Sequence, residues 1–233
     1  MQHKLFITTV WLVLSSFSFG QNKYFEIYND SALLKKDNNA LIKEFERQMQ
    51  KVNPAFSFKS LTTEIPAQFM PGQYSEKTNK IYLPLWQTSI PAMESFLTDV
   101  GGSKENAMKL ANLFFYGYFL PHEVGHALQF NTKRVPENAY DMEYEANEIA
   151  ITYWRSSGRG KEMDECHQWA KKMLSKLKNP VPPNTDAKKY ITTHYWDLVK
   201  DPYQYGYIQF SQIVQIMEDP SLPDFNTYIK KYF

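Results

Sequence analysis

One cysteine, Cys166, occurs in 233 residues, so an intramolecular disulfide is impossible and a cysteine-rich zinc site is excluded. A lone thiol in such a chain reads as a small buried hydrophobe. An excess of charge is also missing. The 26 basic and 25 acidic residues leave +1 and are scattered rather than grouped, which argues against a nucleic-acid partner or an anionic-membrane surface. No apolar run reaches the roughly 20 residues that a bilayer span needs. No cysteine follows the first apolar run, so a bacterial lipobox is excluded, and no pro-segment with an inhibitory cysteine is visible. Internal repeats and low-complexity blocks are absent as well.

What is present suits a packed enzyme-sized domain. Apolar residues make up 43% and aromatics 16%, enough for a sizeable core in one compact unit. The beginning reads separately. A short polar, basic start (Gln2, His3, Lys4) leads into the apolar run Leu5 to Leu14 and then into Ser15-Ser16-Phe17-Ser18-Phe19-Gly20. Small residues at Ser18 and Gly20 suit a signal peptidase, so residues 1–20 are expected to be a cleaved signal peptide and 21–233 a secreted or periplasmic domain. Cleavage removes Lys4 and leaves 25 basic against 25 acidic residues.

Asp30 or Ser31 can cap a helix running to about Val52, with Leu33, Leu34, Leu41, Ile42, Phe45 and Met49 at helical spacing. Residues 56 to 69 alternate with β-favouring types (Phe56, Phe58, Leu61, Thr63, Ile65, Phe69), and Pro71-Gly72 makes a turn. Residues 73 to 84 read as two short strands around a polar turn, the second closed by Pro84 as suits a sheet edge. A helix near Pro91 to Asp99 follows. Ser103 with Asn106 starts another that extends to about Phe130, and Pro136-Glu137 opens one ending near Ser157-Gly158. A further helix spans about Lys161 to Leu177. The stiff connector Asn179-Pro180-Val181-Pro182-Pro183-Asn184 then leads to two or three aromatic-rich helices. The expected class is α+β. A β-containing part lies at about 55–100, the central helices at about 103–157 and a helical C-terminal part at about 160–233.

The chemistry concentrates at His122-Glu123-Val124-Gly125-His126. Two imidazoles at i and i+4 lie one helical turn apart on the same face, the arrangement that two zinc ligands need. Glu123 sits where it can reach the attacking water without ligating the ion. Gly125 removes a side chain and lets another element pack beneath. Pro121 lacks an N–H, so its ring should disturb the bond to the Gly117 carbonyl and kink the helix. With 5 His and 15 Glu in 233 residues, the pentad is expected by chance about 0.007 times. A catalytic zinc site wants a third protein ligand and one open position. On the next helix Tyr140, Glu143, Tyr144, Asn147, Ala150, Ile151 and Trp154 form one mostly apolar stripe, while Glu145, Glu148, Thr152 and Arg155 form the opposite polar one. A carboxylate on the inward stripe needs a partner, which singles out Glu143. A shifted helix phase would give the role to Glu145.

These residues resemble the gluzincin metallopeptidases, in which the HExxH helix is followed by a second helix carrying E-x-x-A-D or E-x-x-x-D. Glu143-Tyr144-Glu145-Ala146-Asn147 matches with one departure, Asn147 in place of aspartate. The resemblance covers about residues 65 to 157. Its upstream part, Ala67 to Pro84, is similar to the short strand pair of several uncharacterised secreted bacterial metallopeptidases. It implies a zincin-like fold with a small mixed sheet, Zn2+ held by His122, His126 and Glu143, and Glu123 as general base in peptide-bond hydrolysis. It also implies that an edge strand, here Ile81-Tyr82-Leu83, pairs with an extended peptide or protein substrate. A Tyr or His should donate to the oxyanion. His194 and Tyr195 are the candidates, with His167 a poorer one.

The aromatics Tyr190, Tyr195, Trp196, Tyr203, Tyr205, Tyr207 and Phe210 line a cleft or, more simply, fill a helical core. Two other readings stand beside an active peptidase. One is an inactive zincin-like domain that binds a peptide or protein partner, which Asn147 supports because it brings no charge to the histidine it orients. The other is an envelope protein in which the pentad is accidental.

Overall fold

The computed structural model describes residues 23–68 and 72–233. The expected signal peptide, Phe69 of the alternating stretch and Pro71 of the expected turn lie outside them.

The N-terminal helix α1 (Ser31–Gln50) starts where Asp30 Oδ1 accepts from the Ala32 and Leu33 amides at 2.7 and 3.3 Å, which satisfies donors that the first turn leaves free. It buries Leu34, Leu41, Ile42, Phe45 and Met49. Three short strands follow: β1 (Thr62–Glu64), β2 (Gln73–Ser75) and β3 (Lys80–Tyr82). The alternation from 56 onward yields only β1. Phe56, Phe58 and Leu61 are instead buried outside any strand, the Phe58 ring packed on those of Phe56 and Phe45. Burial by packing, without strand pairing, produces the same period.

Strand order is β1-β3-β2, with β1 parallel and β2 antiparallel to β3. This corrects the expectation that Ile81-Tyr82-Leu83 is an edge. Both flanks of β3 carry ladder partners, and Leu83 N donates to Glu64 O at 3.2 Å. Pro84 lies beyond the strand and so costs the ladder nothing. The edge strands are β1 and β2.

Helix α2 (Pro91–Gly101) stops at Gly102, whose φ of +83° is tolerable for glycine. Ser103 Oγ then accepts from Asn106 N at 3.1 Å and opens α3 (Lys104–Leu110). A π-helical stretch, Ala111–Tyr118, passes without a break into α4 (Phe119–Asn131), which carries the pentad. The backbone accommodates Pro121 through this wider turn. The Gly117 carbonyl, four residues before the proline, accepts from the Trp154 indole N–H at 3.2 Å. π-turns of this kind cluster at functional sites. Gly117 must also stay bare, because a methyl there would overlap the Phe25 ring.

Asn138, rather than Pro136, caps α5 (Ala139–Ser156), its Oδ1 accepting from Asp141 N at 2.9 Å. Helix α4 packs on α5 so closely that a Cβ at Gly125 would lie 3.2 Å from Ala146 Cα and 3.3 Å from Ile149 Cδ1. The remaining helices are α6 (Gly160–Leu174), α7 (Ala187–Leu198), α8 (Pro202–Glu218) and α9 (Phe225–Tyr228), followed by a 3-10 turn, Ile229–Tyr232. The class is mixed α+β and mostly helical. One expected stripe changes: α5 buries Thr152, Ile149 and Tyr153 as well as the Glu143 side. The C-terminal segment covers the face that the sequence pattern assigned to solvent, with Tyr228 and Tyr232 bonded to Glu148 and Glu145. Among the described residues no helix is long and apolar enough to cross a membrane.

Candidate metal centre

Both imidazoles of the pentad are buried, at 1% and 8% exposure for His122 and His126. Their Nε2 atoms face each other at 3.1 Å, with ring planes at 89°. Each Nδ1 is tied to an amide oxygen: His122 to Asn147 Oδ1 and His126 to Gln129 Oε1, both at 2.9 Å. An amide oxygen only accepts, so both Nδ1 atoms carry hydrogen and both Nε2 atoms point into one space. The amides are themselves anchored. Asn147 Oδ1 also accepts from Tyr118 OH at 2.9 Å, its Nδ2 donates to Gln209 and Gln212, and Gln129 Nε2 donates to Met142 O at 3.0 Å.

Glu143, 2% exposed, closes the third side. Its Oε2 lies 3.3 Å from His122 Nε2 and 3.7 Å from His126 Nε2. All three ligand atoms fall within 4.8 Å of one another. Tetrahedral zinc with bonds of about 2.0–2.1 Å holds its ligands roughly 3.3 Å apart, so the donor set fits a metal ion of this size. Glu145 is elsewhere, accepting from Tyr232 OH at 2.8 Å with the Lys231 ammonium at 3.3 Å. The structure therefore sets Glu143, not Glu145, beside the imidazoles.

The electrostatics match a place built for positive charge. Burial alone would raise the Glu143 carboxyl, yet the adjacent imidazoles hold it well below the usual carboxylate range. Burial opposes protonation of His126, but Glu143 wins and lifts it to about 9. Metal-free His126 therefore holds a proton at neutral pH, which a bound metal has to displace.

Glu123 is also buried. Burial pushes its carboxyl up, with the imidazoles pulling the other way. Its Oε2 accepts from Tyr74 N at 2.6 Å, which pins it to edge strand β2.

The oxyanion candidates separate. Tyr195 OH donates to Glu143 Oε1 at 2.5 Å. His194, on the exposed side of α7, packs its ring on Tyr190 at 4.5 Å instead. Its register on α7 turns it away from the Glu143-facing position that Tyr195 occupies. His167 faces Glu218 at 3.3 Å, between α6 and α8.

Sequence reasoning missed Gln129, Tyr118 and the α8 residues Gln209 and Gln212, and saw Tyr205 only as one of several aromatics. Tyr205 OH and Gln209 Nε2 donate to Glu143 Oε2 at 3.1 and 2.7 Å. A signal was present: Tyr205, Gln209 and Gln212 recur at i, i+4 and i+7, and the two amides sit among the apolar Phe210, Ile213 and Ile216. An amide in an inward-facing stripe needs a polar partner. No family model, curated protein or solved structure matches this chain.

Proposed function

We propose that the protein is a zinc-dependent hydrolase of peptide bonds, acting on a peptide or protein substrate outside the cytoplasm. The observation that carries this reading is the buried His122-His126-Glu143 cluster, with its three ligand atoms within 4.8 Å and Glu123 beside it. His122 Nε2, His126 Nε2 and Glu143 Oε2 would hold the ion. When bound, it supplies Lewis acidity, polarising a substrate carbonyl and bringing a water's pKa towards about 7.

The chain's own residues do the rest. Glu123, kept aimed by the Tyr74 N–H, receives a proton on its carboxylate as water attacks and returns it to the departing nitrogen. Tyr195 is the donor we assign to the developing oxyanion; its single O–H proton, given to Glu143 Oε1 in the metal-free site, would turn to the substrate oxygen. Asn147 and Gln129 keep both imidazoles in the tautomer that presents Nε2. Residues 1–20 would direct export and leave 21–233 as the working domain.

The test is metal content combined with cleavage of a mixed peptide pool. Purified wild-type protein should carry about one zinc and cut. Glu123→Gln should keep the zinc and lose cleavage, and undiminished cleavage by that variant would end the general-base assignment. A second reading, a zincin-like domain that binds a peptide without cutting it, draws on the neutral amides behind both imidazoles. Wild-type protein that holds zinc and cleaves nothing in the pool would favour it.

A further inference from the structure

The polar groups behind the cluster converge on one side chain of α8. Gln209 is 1% exposed. Its Nε2 donates to Glu143 Oε2 at 2.7 Å and to Tyr205 OH at 2.8 Å, while its Oε1 accepts from Asn147 Nδ2 at 3.0 Å. Asn147 in turn fixes His122 Nδ1. One amide thus touches both the carboxylate on α5 and the group that orients the imidazole on α4. Both of its donors and its acceptor are engaged, so it has one orientation rather than two.

Gln212 offers an internal comparison. It accepts from Asn147 Nδ2 at 2.9 Å and donates to Tyr140 O at 3.2 Å, with Glu143 outside its hydrogen bonds. The two glutamines share a helix, a burial and a partner, and differ in the bond to the carboxylate.

Resting on the zinc reading above, we propose that Gln209 is a positioning residue of the metal centre. By clamping Glu143 Oε2 and Asn147 together from α8, it sets the spacing between carboxylate and imidazole, and through that spacing the grip on zinc. Glu143 Oε2 has two lone pairs; with the ion on one, Gln209 Nε2 can keep the other while its second N–H still holds the Tyr205 hydroxyl. Partners of this kind typically govern metal affinity by about 10–100-fold.

The full chain is titrated with zinc against a chromogenic chelator, and with cobalt(II), whose visible absorption reports coordination geometry. Melting is followed in EDTA. Gln209→Met should weaken zinc about 10–100-fold and alter the cobalt spectrum. Gln209→Glu keeps the size and the acceptor for Asn147 but removes the donor to Glu143 and sets a second carboxylate against it, so it should lose at least as much. Gln212→Met should lose clearly less. The two substitutions at 209 also guard against one of them failing to fold. If a folded variant at 209 keeps wild-type affinity and the wild-type cobalt spectrum, the positioning role is overturned and the zinc site stands. Equal losses for Gln209→Met and Gln212→Met, matched by equal drops in EDTA melting temperature, would mark a scaffold role and overturn it too. Wild-type protein that takes up no zinc would bring down both readings.

Discussion

Both faces of α5 carry acids, and both faces pair them with phenols. On the α4 side Glu143 accepts from Tyr195 at 2.5 Å and from Tyr205 at 3.1 Å. On the C-terminal side Glu148 accepts from Tyr228 at 2.5 Å and Glu145 from Tyr232 at 2.8 Å. The pairing chemistry is the same, and what stands opposite differs. Glu143 meets two buried imidazoles, whereas Glu145 meets the Lys231 ammonium. The carboxyls respond in opposite directions: burial lifts Glu148 despite the Tyr228 bond, while the imidazoles beside Glu143 outweigh burial and hold it down. A phenol makes a buried acid tolerable; convergence with imidazoles builds a donor set that could hold a metal.

The strongest way to break this contrast is to exchange the acids' fates. Glu143→Ala should reduce zinc affinity roughly 100-fold or more, beyond what loss of an outer partner costs, while Glu145→Ala should retain stoichiometric zinc. Equal zinc content after dialysis would erase the distinction between the faces.

Next in size is the spacing of the helices. Gly125→Ala adds a methyl 3.2 Å from Ala146 Cα, and backbone there has little room to yield. Overpacking of this kind should cost about 1–3 kcal/mol in urea denaturation, with zinc binding weakened as the imidazoles move off Glu143.

The opposite pKa shifts give a third test in metal-free protein. Glu143 is held below its unfolded value, so its contribution is complete above about 4.3 and fades as pH falls towards the folded pKa. Glu148 is held above, so its ionised form is penalised at neutral pH and the penalty lifts as pH falls through the folded pKa. The stability advantage of wild type over Glu143→Gln should therefore shrink only below about pH 4.3, whereas Glu148 titrates above that. As pH falls through that higher range, the difference between wild type and Glu148→Gln should move in wild type's favour. Parallel trends in urea titrations would contradict the two assignments.

The smallest effects come from single phenols. Tyr228→Phe should cost about 1 kcal/mol and leave zinc affinity alone. Tyr195→Phe should instead lower zinc affinity, measured by chelator competition.

Much of this site was legible. The pentad, Glu143 and the gap at Gly125 follow from the 3.6-residue period and the cost of burying an unpartnered acid, and Asp30 and Ser103 marked their caps by residue type. The edge strand was not legible, because Ile81 sits in β3 whichever strand lies outside it, and β1 reaches its far side through long-range pairing that no local pattern encodes. Nor was burial of the second face of α5. Glu145 and Glu148 look solvated until Tyr228 and Tyr232, some eighty residues on by the separations of 80 and 87, supply partners. The outer partners on α8 were missed for the related reason that a glutamine announces a hydrogen bond without saying to what.

The indole bond from Trp154 to the Gly117 carbonyl has a consequence for how this chain can vary. Pro121 leaves that carbonyl without its usual helical donor, and a residue on another helix fills the role. Replacing Trp154 alone strands a buried acceptor, at about 1–3 kcal/mol. Replacing Pro121 alone creates a new N–H that competes for the same oxygen. The two positions form a unit of inheritance, in which a tolerated change at one is expected to arrive with, or wait for, a change at the other.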